Sequence, residues 1–256
     1  MARIHFLGVP VDILSESETI GLAIDAMRRS ILRRHVALNV AKFVTMRHNE
    51  ELRRDVVESD IIGIDGMGII LALRLFGYFK GERVPGIDLM EGLMARCAAE
   101  GFRPYVLGAR REVLERALAV ARERWPGLQF AGARDGYFTP AQEAAVVADI
   151  ARSGADCLFV AMPTPRKEQF LRRHANQLNV PFIMGVGGSI DVLAGLVKRA
   201  PRWMQRSGLE WFYRIEQEPR RMFWRYASTN TRFVGILATA LAARVLGRQA
   251  IRAEAS

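Results

Sequence analysis

Short apolar runs alternate with longer amphipathic segments along most of the chain. Seven runs rich in β-branched and aromatic residues predict strands, at residues 4–7, 35–39, 61–64, 104–107, 128–131, 157–162 and 181–186. Segments with helical periodicity lie between most of them, at residues 18–33, 43–58, 68–77, 89–100, 111–124, 141–153 and 167–177. Alternation of this kind requires crossovers between parallel strands. We therefore predict an α/β fold with a Rossmann-like layered, mainly parallel sheet and flanking helices.

A different pattern begins near residue 197, where the strand signal stops. The chain from there is helical, basic and aromatic, and Arg199-Ala200-Pro201 lies at the change. We predict two domains, an α/β body over residues 1–196 and a helical basic-aromatic C-terminal appendage over residues 197–256.

The formal net charge of +10 is concentrated in this appendage. Residues 198–256 hold twelve Lys and Arg against four Glu, a net +8, and three of the four tryptophans, while the rest of the chain carries +2. Arginine beside Trp and Tyr is typical of surfaces that bind nucleic acid or lipid headgroups. A third interpretation is that the basic side chains form a solvated face and that the aromatic side chains belong to an ordinary core.

The composition excludes several classes of protein. Half of the residues are hydrophobic, which excludes intrinsic disorder. Cys97 and Cys157 form no CxxC pair and no zinc-like spacing with a histidine, so we expect a reducing compartment and no structural metal. The N-terminus has no apolar secretion signal, and the longest apolar run, residues 233–243, is shorter than the ~20 residues that cross a bilayer. We expect a cytosolic protein, or one bound to a membrane from the cytosolic side.

A glycine-rich segment ends the last predicted strand, at the point where ligands bind in open α/β sheets. Gly185, Gly187 and Gly188 precede a short predicted helix, so backbone N–H groups there are able to approach a phosphate closely. Ile190 stands where a dinucleotide fingerprint has its third glycine. A tight turn and a diphosphate site are therefore both open.

Asp65 follows the strand predicted at residues 61–64 and precedes Gly66. A carboxyl group at the end of an apolar strand lies in a partly dry cleft, where its pKa is able to rise enough for general base catalysis. The alternative is an Asx turn or a cap for the helix that follows.

The loop after the strand at residues 157–162 places Arg166, Lys167 and Glu168 in the first turn of a predicted helix. Cations at a helix N-terminus oppose the macrodipole. These side chains either meet an anionic ligand or form solvated surface.

Several motifs are missing from the sequence. The chain has no GxxxxGK[ST], GxSxG or HExxH motif and no Asp-x-Asp pair. An Asp-x-Asp pair usually binds the divalent ion on a nucleotide diphosphate. We expect no metal and no other cofactor, so arginines must stabilise a leaving diphosphate if one forms here.

Eight ordered motifs give the chain a resemblance to a known family. They are Asp65-Gly66, Glu82-Arg83-Val84-Pro85-Gly86-Ile87-Asp88-Leu89, Gly136-Tyr137-Phe138, Pro165-Arg166-Lys167-Glu168, Gly185-Val186-Gly187-Gly188-Ser189-Ile190-Asp191, Arg199-Ala200-Pro201, Gly208-Leu209-Glu210-Trp211 with Tyr213-Arg214, and Glu218-Pro219-Arg220-Arg221. Together they resemble the WecG/TagA/CpsF family of bacterial glycosyltransferases. The resemblance implies inverting, metal-independent transfer of a sugar from a UDP-sugar to a polyprenyl-diphosphate-linked sugar, in cell-envelope or exopolysaccharide biosynthesis.

The resemblance also implies roles for individual residues. Asp65 becomes the base that deprotonates the acceptor hydroxyl, and Arg214 and Arg221 act on the nucleotide diphosphate from the appendage, which completes the active site. The remaining positions assigned to substrate binding are Asn39, Arg83, Asp88, Lys167, Glu168, Gly185, Gly187, Gly188 and Asp191.

Two positions depart from the family pattern. Ala37 stands where the family often has Thr, and Lys167 where it commonly has Gln. UDP-N-acetylmannosamine, its uronate and UDP-glucose all remain candidate donors, and the charge of Lys167 suits a diphosphate or a uronate carboxylate.

The expected partners are a UDP-sugar, a polyprenyl-diphosphate-linked sugar and an anionic cytoplasmic membrane surface, with no nucleic acid. We expect a cytoplasmic protein, peripheral on the inner face of the plasma membrane; the oligomeric state is open. A nucleic-acid-binding protein and a sugar-nucleotide hydrolase or epimerase are the alternatives.

Overall fold

A computed structural model describes residues 2–78, 82–217 and 219–245, with the backbone alone for Arg206, Arg221, Met222, Arg225 and Val245. The strands are β1 (Ala2–Phe6), β2 (Val9–Ile13), β3 (Arg33–Leu38), β4 (Ile61–Ile64), β5 (Pro104–Gly108), β6 (Gly132–Arg134), β7 (Cys157–Ala161) and β8 (Phe182–Gly185). The helices are α1 (Glu16–Arg29), α2 (Val40–Met46), α3 (Glu50–Val57), α4 (Met67–Leu75), α5 (Gly86–Glu100), α6 (Arg111–Arg124), α7 (Pro140–Arg152), α8 (Arg166–His174), α9 (Ser189–Leu193), α10 (Arg202–Arg206), α11 (Glu210–Gln217) and α12 (Pro219–Val245).

The central sheet has six strands in the order β4-β3-β8-β7-β5-β6, and its neighbouring strands pair in parallel. Helices cover both faces. Consecutive residues of β7 point to opposite faces of the sheet. Phe159 packs with α1, α5, α6 and α9 on one face, while Leu158 packs with α7 and α8 on the other. This confirms the predicted Rossmann-like layered fold.

The first predicted strand does not join this sheet. β1 pairs antiparallel with β2, which we did not predict, and the hairpin lies beside β4. Asp12 of β2 is buried; its carboxylate pairs with Arg3 at 2.8 Å and accepts a hydrogen bond from the backbone N–H of Ile62 at 2.8 Å. The hairpin thereby covers the exposed edge of the sheet.

Two other predicted elements were wrong in their bounds. The strand expected at residues 128–131 lies at β6 instead, because Leu128 is buried among the helices of one face, while Gly132 pairs with Tyr105. The helix expected at residues 43–58 is two helices. The first, α2, ends at Met46, and Asn49 caps α3, its side-chain oxygen accepting from the N–H of Leu52 at 2.9 Å.

The described part of the C-terminal segment is mainly helical, as predicted, and α12 packs against α2. Residues 246–256 of the predicted appendage lie outside the described residues. Phe233 is buried, with its ring centroid 5.5 Å from that of Phe43, and Ile236 and Leu237 extend the same contact. The apolar stretch at residues 233–243 therefore packs on the body through this face. Among the described residues, no helix has the length and apolarity to cross a bilayer.

Phe233→Ala tests this packing. Removing a buried phenylalanine side chain typically costs about 3–5 kcal/mol, so we expect a large loss of stability in urea unfolding and faster proteolysis within α12. Val234→Ala is the control, since the neighbouring Val234 is 62% exposed. Equal stability of the two variants would show that α12 does not dock through Phe233.

Candidate active site at the carboxyl edge of the sheet

The strands β3 and β8 are parallel neighbours whose carboxyl ends lie side by side, and we call the space between these ends the switch-point crevice. The chain leaves β3 into α2, which packs on the face that carries Ile62 and Ile64, and leaves β8 into α9, which packs on the opposite face with Ile61. Neighbouring strands whose connections leave to opposite faces form a topological switch point, where ligands bind in open α/β sheets.

Asp65 lies at this edge, directly after β4. Its backbone N–H donates to the carbonyl of Leu38 at 3.0 Å, and its Oδ1 accepts from the N–H of Gly86, the first residue of α5, at 3.2 Å. α4 begins after Gly66 without a side-chain cap. The Asp65 carboxylate is therefore not the cap of the following helix.

The surroundings of Asp65 suit a base. Burial raises the pKa of this carboxyl above its ordinary value, although the Gly86 N–H and the charges of Arg214 and Arg83 act in the opposite direction. Arg214 of α11 therefore lies close enough to influence the site. A carboxylate with a raised pKa is a stronger proton acceptor.

Asn39 lies beside Asp65, at the end of β3. Its side-chain oxygen accepts from the N–H of Lys42 at 3.0 Å and caps α2. A Cβ atom placed on Gly66 would lie 3.2 Å from the Cβ of Asn39, so the absence of a side chain at Gly66 lets the two strand ends approach.

Two ion pairs join the C-terminal segment to the body. Arg83 pairs with Glu210 at 2.9 Å, with both side chains largely buried. Arg199 pairs with Asp88 through two contacts of 2.6 and 2.5 Å. Arg83 and Asp88, predicted to bind substrate, thus hold the start of the C-terminal segment against α5 and the loop before it.

The glycine-rich segment continues β8 into the crevice. Gly187 has φ +50°, which favours glycine, and a Cβ placed on Gly86 would lie 3.8 Å from Oγ of Ser189. Ser189, which follows Gly185, Gly187 and Gly188 and precedes Asp191 in α9, is thereby placed beside Gly86, the residue that donates to Asp65. The two alternatives for this segment, a tight turn and a diphosphate site, are compatible, because a loop that turns tightly is also able to approach a ligand closely.

Lys167 and Glu168 lie beneath this loop and are buried. A Cβ on Gly185 would lie 2.6 Å from Cε of Lys167. Oε1 of Glu168 accepts from Lys42 Nζ at 3.0 Å and from the Thr164 hydroxyl at 3.2 Å, and Lys167 Nζ lies 3.5 Å away. This cluster ties the start of α8 to the start of α2, below the crevice.

The charges of this cluster shift each other's pKa values. Burial lowers the pKa of Lys167 to about 8, helped by the charge of Lys42. Burial alone would raise the pKa of Glu168, but the ammonium groups of Lys42 and Lys167 outweigh it and lower that pKa to about 2. Glu168 is therefore a carboxylate at neutral pH.

Arg166 has a structural role. Its guanidinium donates to the carbonyl oxygens of Gly136 at 2.8 Å and Phe138 at 2.9 Å. The alternative of solvated surface is therefore wrong for this side chain, and for the buried Lys167 as well.

Two residues that shape the site, Lys42 and Glu210, were not predicted from the sequence. Lys42 had no motif to mark it, and Glu210 lay within a quoted motif but received no role. Arg221 was predicted to act on the diphosphate; its backbone belongs to α12, and its side chain lies outside the described part of the chain.

Large aromatic side chains are exposed on α10 to α12. Trp203, Phe212 and Trp224 are 64%, 54% and 72% exposed. Across residues 2–78, 82–217 and 219–245, no group of His, Cys, Asp or Glu is arranged to hold a metal ion.

Comparison with models of known protein families matches residues 4–246 of this 256-residue chain to one described as the glycosyl transferase WecG/TagA/CpsF family. The matched range includes the whole parallel sheet, the switch-point crevice and α10 to α12.

Proposed function

Because the chain belongs to the WecG/TagA/CpsF family of glycosyl transferases, we propose that it transfers a sugar from a UDP-sugar to a polyprenyl-diphosphate-linked sugar. Membership makes the protein a glycosyltransferase of cell-envelope polysaccharide synthesis. The observation that carries this proposal is Asp65, a carboxyl group with a raised pKa that follows β4, next to the switch point, and that Arg214 and Arg83 influence electrostatically.

The proposed reaction is a single displacement. The Asp65 carboxylate accepts the proton of the acceptor hydroxyl while that oxygen bonds to the anomeric carbon of the donor. The bond from this carbon to the diphosphate oxygen breaks on the opposite face, and UDP leaves with the electron pair. Attack opposite the leaving group inverts the anomeric configuration.

Negative charge develops on the departing diphosphate and requires stabilisation. Arg214 of α11 is a cation close enough to Asp65 to influence its pKa, and Ser189, next to the glycine-rich segment, lies beside Gly86, which donates to Asp65. Arg221 is the second arginine of this proposal. No metal takes part in the proposed step.

The donor is a UDP-sugar of the N-acetylmannosamine, N-acetylmannosaminuronate or glucose class. Lys167 favours an anionic group above Gly185, because its charge is buried directly beneath that glycine. The +8 charge of residues 198–256 and the exposed aromatic rings support docking on the anionic cytoplasmic face of the membrane, near a lipid-linked acceptor.

The anomeric configuration of the product tests the displacement. NMR of the product formed in the presence of a chelator should show one added sugar with inverted configuration. Retention of configuration, or transfer that stops when the chelator removes metal, would contradict the mechanism. Release of free sugar or isomerised donor without acceptor would indicate a hydrolase or an epimerase.

A further inference from the structure

Tyr137 lies at the carboxyl edge of the sheet, away from Asp65, and is 71% exposed. The backbone N–H of the preceding Gly136 donates to the carbonyl of Ala109, directly after β5, at 3.0 Å. A Cβ placed on Gly136 would lie 3.1 Å from Cα of Gly108. The loop that carries Tyr137 is therefore packed tightly onto the end of β5.

The backbone on both sides of Tyr137 is fixed. Arg166 donates to the carbonyl oxygens of Gly136 and Phe138, and its guanidinium lies 4.7 Å from the centroid of the buried Phe138 ring. Asp135 accepts from the N–H of Tyr137 at 3.0 Å. An exposed aromatic ring is thus presented on a rigid backbone, which reduces the entropy lost when a ligand binds.

One cation lies near the Tyr137 side chain. The guanidinium of Arg110 is close enough to Tyr137, and to Asp191 of α9, to interact electrostatically with both. Ala109, immediately before Arg110, has φ +59°, an uncommon conformation for a residue with a side chain and one that clusters at functional sites.

The strand order sets the spacing along the edge. β8 lies two strands from β4, which precedes Asp65, and two strands from β5, beside Tyr137. Neighbouring strands are about 4.8 Å apart, so each interval is roughly 10 Å. An extended nucleoside diphosphate-sugar has the length to place its sugar at Asp65, its diphosphate over the glycine-rich segment and its base at Tyr137.

We propose that Tyr137 is the stacking platform for the nucleobase of the donor, held in orientation by Arg110 and by the Arg166 contacts. This proposal rests on the proposed function, since it needs a nucleotide-linked donor. An aromatic ring stacks on the flat face of a base, and loss of such a ring typically weakens binding roughly 5- to 150-fold.

Calorimetric titration of the full-length protein with UDP and, separately, with inorganic pyrophosphate tests the platform. Tyr137→Ala should bind UDP roughly 5- to 150-fold more weakly and pyrophosphate unchanged. Tyr137→Phe keeps the ring and should bind UDP nearly as wild type. Trp203→Ala is the matched control, because it removes another exposed aromatic ring, from α10, and should change neither affinity.

Unchanged UDP affinity in Tyr137→Ala would overturn the platform, and so would an equal loss for UDP and pyrophosphate, which would indicate a distorted loop. The titration needs no acceptor and no turnover. Sugar transfer by wild type together with unchanged UDP affinity in Tyr137→Ala would therefore refute the platform alone. Failure of wild type both to bind UDP and to transfer sugar would refute the proposed function as well.

Discussion

Asp65→Asn is expected to lower kcat by about 10²- to 10⁴-fold, the usual contribution of a general base, with donor binding close to wild type. Asparagine keeps an oxygen that is able to accept from the Gly86 N–H, so the local structure should survive. Steady-state transfer kinetics and donor titration measure the two effects separately. Asp25→Asn is the control, because Asp25 is an exposed carboxylate of α1.

The pH dependence gives Asp65 a second signature. The base must be deprotonated to act, and burial raises its pKa. In wild type, kcat/KM should therefore fall as the pH drops through a pKa above the ordinary aspartate value. This acid limb should be absent from the residual activity of Asp65→Asn. Turnover near wild type, or an unchanged acid limb in the variant, would remove Asp65 from the mechanism.

Arg214→Ala is expected to lower kcat by about 10²- to 10³-fold, the typical loss when one preorganised group that stabilises developing negative charge is removed. The positive charge of Arg214 also lowers the pKa of Asp65. Its removal should therefore raise that pKa and shift the acid limb of kcat/KM to higher pH.

Arg220→Ala is the matched control for this variant, because Arg220 is an exposed arginine of the same C-terminal segment. It should leave the acid limb in place and cost little rate on a short-chain soluble acceptor. If Arg214→Ala behaves like Arg220→Ala in both measurements, Arg214 has no role in the chemical step.

The parallel sheet could be predicted because its strands are apolar on both faces. All four residues of β4 and all five of β7 are buried, and such continuous runs are typical of parallel strands between helices. The β1–β2 hairpin was harder to predict. Pro10 and Asp12 interrupt the pattern of β2, and only the fold reveals that Asp12 accepts a hydrogen bond from β4.

The candidate site was predicted in part by the rule that ligands bind at strand ends. Asp65 and the glycine-rich segment both follow strands, and parallel strands bring their ends to one edge. The ion pairs could not be predicted in the same way. Arg83 and Glu210 are 127 residues apart and Lys42 and Glu168 are 126 apart, so neither spacing nor periodicity links the partners.

The role of the apolar run in α12 also depended on tertiary structure. Its length excluded a membrane span, but a helix of that composition is suited either to the membrane interface or to a protein surface. The contact between Phe233 and Phe43 shows that this face of α12 packs on the protein. Exposed aromatic rings on α10 to α12, among them Trp203 and Trp224, then remain suited to lipid headgroups.

The most direct test of sugar transfer by this site is mass spectrometry of short-chain polyprenyl-diphosphate-sugar acceptors after incubation with a panel of UDP-sugars. We expect that wild-type protein adds one sugar residue from at least one donor of the N-acetylmannosamine, uronate or glucose class, and that Asp65→Asn gives almost none. An acceptor left unextended by every donor, or extended equally by Asp65→Asn, would contradict this expectation.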